Sequence, residues 1–149
     1  MTAATAPLFW RDPALAFVEA RTIADGRNVT YTRHAHEHFS IGAITRGRSY
    51  YHYGAQTFEI SAGTLVLMNP GDVHACNPIE NEHWSYHMLY LDTAWLTDLQ
   101  YQLGFSTEQG YRPFNTPIPA PRCCTTACWS SIGCWWMSRL NSCKNRARW

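Results

Sequence analysis

Between Ala16 and Leu91 the apolar positions do not recur every three or four residues. They come in short runs, several of them alternating with polar residues, broken by glycine, asparagine and proline. Alternation with period two places one face of an extended segment in a core, so AFVEARTI (16–23), NVTYTRH (28–34), HFSIGAIT (38–45), SYYHY (49–53), TFEI (57–60), TLVLMN (64–69) and WSYHMLYL (84–91) read as strands. The breaks carry turn chemistry: Asp25-Gly26, Arg46-Gly47-Arg48, Tyr53-Gly54, Ala62-Gly63 and Asn69-Pro70-Gly71-Asp72. This many short strands at close spacing make a mainly β sandwich or barrel. After Leu91 the period changes. Asp92 can cap a helix over TAWLTDLQYQL, in which Trp95, Leu96 and Leu99 recur at helical spacing and Gly104 supplies the stop.

With 149 residues the chain suffices for one compact domain, and 46% hydrophobic against 15% charged residues exclude a disordered chain. The formal charge of +1 conceals a division. All 11 acidic residues lie at or before Glu108, against six basic ones, so this part carries about −5, while the remainder is basic. Five of the six cysteines (Cys123, Cys124, Cys128, Cys134, Cys143) also fall in the last stretch. The expected organisation is therefore a folded domain over 1–115 and a Cys/Trp/Arg-rich tail over 116–149. No signal peptide and no membrane-spanning apolar run are evident, which predicts a cytoplasmic chain without membrane contact or a disulfide framework.

His34, His36 and His38 alternate, so on a strand all three project from one face, and His74 follows the Pro70-Gly71 turn at the mouth of the predicted barrel. Four imidazoles are expected to converge there. Tyr51 with Tyr53, and Trp84 with Tyr86, Met88 and Tyr90, add aromatic and apolar surface on single strand faces. The candidate ligand-binding set is His34, His36, His38, Tyr53, His74, Trp84, Tyr86 and Met88. Neither a Ser or Cys nucleophile with a paired base nor a close pair of carboxylates occurs in these segments, so no catalytic residue is expected. His34 and His36 fit the HxH of the first cupin motif, and Gly63, Gly71 and His74 keep the spacing of the second. The glutamate of metal-binding cupins would fall at Ser40 or Ile41, the motif's proline is displaced to Pro70, and Pro78 stands where its final asparagine would. The reading is a ligand pocket without metal or cofactor; a small metal-dependent cupin enzyme, a dioxygenase or isomerase, is the alternative.

One ordered set is more specific. His34, His36, Gly42, Gly47, Gly63, Asn69, Pro70, Gly71, His74, Trp84, Tyr86, Met88 and Tyr90, spread over RHAHEHFSIGAITRGRSYYHYGAQTFEISAGTLVLMNPGDVHACNP and WSYHMLYLD, resemble the N-terminal sensor domain of AraC-type (AraC/XylS) transcriptional regulators. The resemblance covers residues 8 to 115. It implies a cupin-like barrel of the double-stranded β-helix or jelly-roll type, followed by a short α-helical segment. It further implies a small-molecule effector, a homodimer through the helix after Asp92, and DNA contact only through a separate C-terminal pair of helix-turn-helix units.

The tail fits no such segment. Clustered positive charge with interleaved aromatics could mark a nucleic-acid arm. Cys and Trp codons both begin TG, however, so each would read as Leu, Val or Met in the frame displaced by one base. The expectation is a frame lost near residues 116 to 122, a disordered tail and a chain truncated before its DNA-binding domain; a nonfunctional fragment is the further alternative.

Overall fold

The computed structural model describes residues 6–119. The expectations for 120–149, the tail beyond Pro119, lie outside them. Eight strands and one helix follow in order: β1 Leu8–Arg11, β2 Val18–Ile23, β3 Phe39–Arg46, β4 Arg48–Tyr53, β5 Gln56–Ser61, β6 Leu65–Met68, β7 His74–Pro78, β8 Ser85–Leu91 and α1 Thr93–Gln102. All strand pairings are antiparallel. One sheet has the order β1-β2-β8-β3-β6 and the other β5-β4-β7.

Cross-strand partners share a face, so the register sets the inner rows of the larger sheet. Ile23, Tyr86 and Ile44 form one row, Arg21, Met88, Gly42 and Val66 the next, and Glu19, Tyr90, Ser40 and Met68 the third. The first row and most of the second are buried against Tyr51 and Ile60 of the smaller sheet, and Trp84 completes this core. The third row runs from Met68 and Ser40, both buried, to Tyr90 and Glu19, which line a cavity.

Six of the seven expected strands form, within one or two residues at most ends. The segment 28–34 does not. The Tyr31 amide donates to Asn77 Oδ1 at 2.8 Å and its carbonyl accepts from Asn77 Nδ2 at 3.2 Å, so a side chain takes the place of a ladder partner. Only the bridge between His34 and His74 remains of strand pairing here. The placement of His34, His36 and His38 on one strand face is therefore corrected: they lie on an irregular connection that ends at β3. β1 and β7 are additional to the expected set, and His74 opens β7 rather than ending a turn.

Two turns are enforced by backbone chemistry. Gly47, between β3 and β4, has φ +68°, and a Cβ there would lie 1.9 Å from the His83 carbonyl oxygen, so no other residue fits. Asp92 caps α1 as expected, accepting the Trp95 amide at 2.8 Å, and Gly104 ends the segment with φ +73°. The chain beyond α1 then returns over the barrel. Phe114 stacks on Phe39 with centroids 4.8 Å apart, and the Leu67 amide donates to the Pro117 carbonyl at 2.7 Å. Asn69 holds this return, donating to Asp72 Oδ2 (2.9 Å) and the Phe114 carbonyl (3.0 Å) and accepting from the Tyr111 hydroxyl and the Phe114 amide (2.8 Å each).

Candidate functional site

The bridge between the 24–38 connection and β7 creates the site. The His34 amide donates to the His74 carbonyl at 3.0 Å and the reverse bond is 2.9 Å, which brings their rings to a centroid separation of 4.7 Å. His36 is held two residues on by the Gly71 amide, which donates to its carbonyl at 2.9 Å, and its ring stands 4.8 Å from that of His74. One ring nitrogen from each of the three histidines lies within 4.8 Å of the others.

Each ring is fixed by the same device. Nδ1 of His34 lies 2.8 Å from the Thr32 carbonyl, that of His36 2.8 Å from the His38 carbonyl, and that of His74 2.8 Å from the Asp72 carbonyl. A carbonyl oxygen can only accept, so a proton sits on Nδ1 in all three and Nε2 is the ring nitrogen left free of the backbone. Burial favours the neutral form of two of them, lowering His74 to about 4 and His36 below the ordinary histidine value. Three imidazoles, each with Nδ1 engaged by a backbone carbonyl, thus stand together.

Beside them opens a cavity of about 700 Å³ whose lining includes Phe9, Phe17, Glu19, His36, His38 and Tyr90. The third inner row supplies Glu19 and Tyr90, and the Tyr90 ring meets His36 edge-on at 5.7 Å. Behind Tyr90 runs a chain of polar groups. Arg21 donates to the Tyr31 hydroxyl at 2.5 Å, which in turn lies 2.9 Å from the Tyr86 hydroxyl. The guanidinium lies between the faces of Phe9 and Tyr31, 5.7 and 5.6 Å from their centroids, and its Nε is buried without a hydrogen-bond partner.

The structure brings His34, His36 and His74 of the expected set together. His38 lies outside this triad but lines the cavity next to His36. Tyr86 faces inward and reaches the site through Tyr31. Tyr53 is committed to the Asn69 and Asp72 network, whereas Trp84 and Met88 belong to the buried core, where Trp84 stacks on Tyr86 at 4.5 Å. Arg21, Tyr31, Tyr90 and Phe9 were not among the expected binding residues. Tyr90 had the signal, sharing the alternation of Tyr86 and Met88; Arg21 shows itself only once β2 is paired with β8.

The donor set fits a divalent transition ion. Three imidazole nitrogens with their second nitrogens tied to carbonyls are the ligand and support pattern that such ions require. Ser40 is buried with its hydroxyl 3.4 Å from His36 Nε2, so no carboxylate stands at the position where metal-binding cupins carry their glutamate. The residues that would hold such an ion are His34, His36 and His74.

The solved structures that resemble this chain include a Cupin 2 conserved barrel domain protein from Salinispora arenicola CNS-205, with a TM-score of 0.51 and 20% identity over 64% of this chain and 82% of that one. A cupin protein from Bacteroides fragilis has a TM-score of 0.53 and 14% identity over 80% of this chain and 95% of that one. At these identities the likeness establishes the cupin barrel. An uncharacterized HTH-type transcriptional regulator of Bacillus subtilis (strain 168), YbfI, is 32% identical over 59 residues, 40% of this chain and 22% of the regulator. The chain therefore spans less than a quarter of that relative. Residues 17–125 match the model of the AraC-like ligand-binding domain, and the chain belongs to that family.

Proposed function

We propose that this domain is the sensor of an AraC-type transcriptional regulator, binding a small effector in the cavity beside the three histidines without transforming it. The observation that carries this reading is the cavity itself: aromatic walls from Phe9, Phe17 and Tyr90, with the imidazoles of His36 and His38 in its lining. Membership of a ligand-binding family agrees with it. Among the described residues the free cysteine, Cys76, has its thiol pushed up to about 12 by burial, which removes it as a nucleophile at neutral pH. In the whole regulator DNA contact falls to a separate helix-turn-helix domain. Dimerisation would use α1 and the apolar side chains exposed after it, Leu103 and Phe105. No described helix is long and apolar enough to cross a membrane, and a cytoplasmic location suits such a regulator.

A library of sugars, sugar acids, amino acids and aromatic acids, screened by thermal unfolding, tests the reading. A member present at a hundred times its dissociation constant should stabilise the domain by about 2.7 kcal/mol. The gain should fall in His36→Ala and in Tyr90→Phe, with the compound recovered unchanged by mass spectrometry. Turnover of the bound compound would give the site to an enzyme instead, and undiminished binding in both variants would move the effector elsewhere.

A further inference from the structure

We propose that the effector is a small organic acid, whose carboxylate pairs with the Arg21 guanidinium while its apolar body lies against Phe9, Phe17 and Tyr90. This rests on the sensor reading above and names the chemical class of its ligand.

Arg21 is a half-buried cation without a counterion. It shares the inner row of Met88, Gly42 and Val66, and its surroundings are aromatic. Phe9 and Tyr31 cover its two faces, the Tyr31 hydroxyl accepts from it, and Tyr86 and Tyr90 stand close enough to act on its charge. None of the four ion pairs among the described residues includes it. Ring faces and a neutral hydroxyl offset only part of the cost of drawing a guanidinium out of water, and its buried Nε has no acceptor at all. An inward cation left in this condition fits an anion that arrives with the ligand.

The cavity decides which anion. Phe9 and Tyr90, both beside Arg21, line it, so the guanidinium stands directly behind the wall. Phe9 belongs to the edge strand β1 and is 60% exposed, which leaves its ring room to turn aside and open Arg21 to the cavity. Nε and the adjoining Nη then form a planar fork that matches the two oxygens of a carboxylate. The other arginine at the cavity, Arg11, is paired with Glu19, so a single positive charge is on offer, which suits a monoanion rather than a phosphate dianion. The lining carboxylates are engaged as well: Glu19 by Arg11, Asp12 by the Ala14 amide and Asp92 by the Trp95 amide. The ammonium group of an amino acid would find no free partner among them, and a neutral sugar would leave Arg21 uncompensated. An acid with an apolar body satisfies both the cation and the aromatic wall.

Benzoate, phenylacetate and hexanoate, each set against its neutral amide, are the probes, titrated at pH 7 into the full chain and read by calorimetry. At least one acid should bind about tenfold or more tightly than its amide, because the amide forfeits the charge-assisted bonds. Arg21→Gln should weaken that acid at least about tenfold and leave its amide unchanged, and Arg21→Lys, which keeps the charge without the fork, should fall between the two. Circular dichroism checks that each variant folds; the ratio of acid to amide in the parent chain needs no variant and decides the matter if neither does. The proposal is overturned if acids and amides bind equally, if folded Arg21→Gln binds the acid as the parent does, or if none of the acids binds. If the acids fail while a neutral sugar binds through His36 and Tyr90, the sensor reading stands and the organic acid alone is lost; if nothing binds, both fall.

Discussion

Replacing Asn69 with alanine should detach the return of the chain over the barrel. Its side chain makes four bonds of 2.8 to 3.0 Å, to Asp72, Tyr111 and both peptide groups of Phe114. At about 0.5–1.5 kcal/mol net for each, the sum is roughly 2–6 kcal/mol. Phe114 is 39% exposed, so water replaces part of what its peptide groups lose, and the lower end applies: about 2–3 kcal/mol. For a domain of this size that corresponds to a fall in Tm of about 8–12 °C. Urea and thermal unfolding of the same protein measure it. Asn69→Asp separates the bonding pattern from mere packing. It keeps the acceptor facing Tyr111 and the Phe114 amide but sets a second carboxylate oxygen against Asp72 and the Phe114 carbonyl, so it should cost at least as much as alanine. A change under about 0.5 kcal/mol in Asn69→Ala, or a harmless Asn69→Asp, would refute the role of this residue as the anchor.

Three further outcomes follow from the same structure. Asp92→Ala removes the acceptor of the Trp95 amide and should cost about 1 kcal/mol in urea unfolding, with Asp92→Asn restoring most of it; equal loss in both would show that charge rather than capping matters. Cys76, its thiol raised to about 12, should resist alkylation at pH 8 in the native protein and react on unfolding, as read by mass spectrometry of the peptide that contains it; rapid native labelling would contradict its burial. His74 is neutral when folded because its value is lowered to about 4, while the unfolded chain takes up the proton near 6.5. Stability of the metal-free protein should therefore be complete above pH 6.5 and fall by about 3 kcal/mol between there and pH 4. His74→Gln should flatten that part of the profile, and a parent protein whose stability is level or rising toward acid would reverse the assignment.

The strands whose alternation carries a buried face were legible in the sequence, and so was the helix, since Asp92 and Gly104 mark its ends. The connection before β3 was not. TYTRH has the composition of a strand, but its backbone bonds go to the side chain of Asn77, a partner 46 residues away that no local pattern reveals. β7 was hidden for a related reason, because HACNP ends in a proline and lacks the alternation of its neighbours. The histidines illustrate both sides. His34, His36 and His74 were expected to meet and do, yet through a single bridge and turns rather than along one strand. His38 has the same spacing in sequence, but the bend after His36 leaves it at the cavity rim. Arg21 carries no signal in the sequence, because an arginine on an amphipathic strand ordinarily faces solvent and only pairing with β8 turns it inward beside Met88.

His34, His36 and His74 stand together with Nδ1 of each held by a backbone carbonyl, which leaves Nε2 as the free ring nitrogen. Long-range proton–nitrogen correlation spectra of the histidine side chains in the metal-free protein at pH 7 test it most directly, since they distinguish protonated from unprotonated ring nitrogens. His34, His36 and His74 should all carry a proton on Nδ1, and His36 and His74 should have Nε2 unprotonated. Protonation of Nε2 in His36 or His74, or charged imidazolium at either, would contradict it.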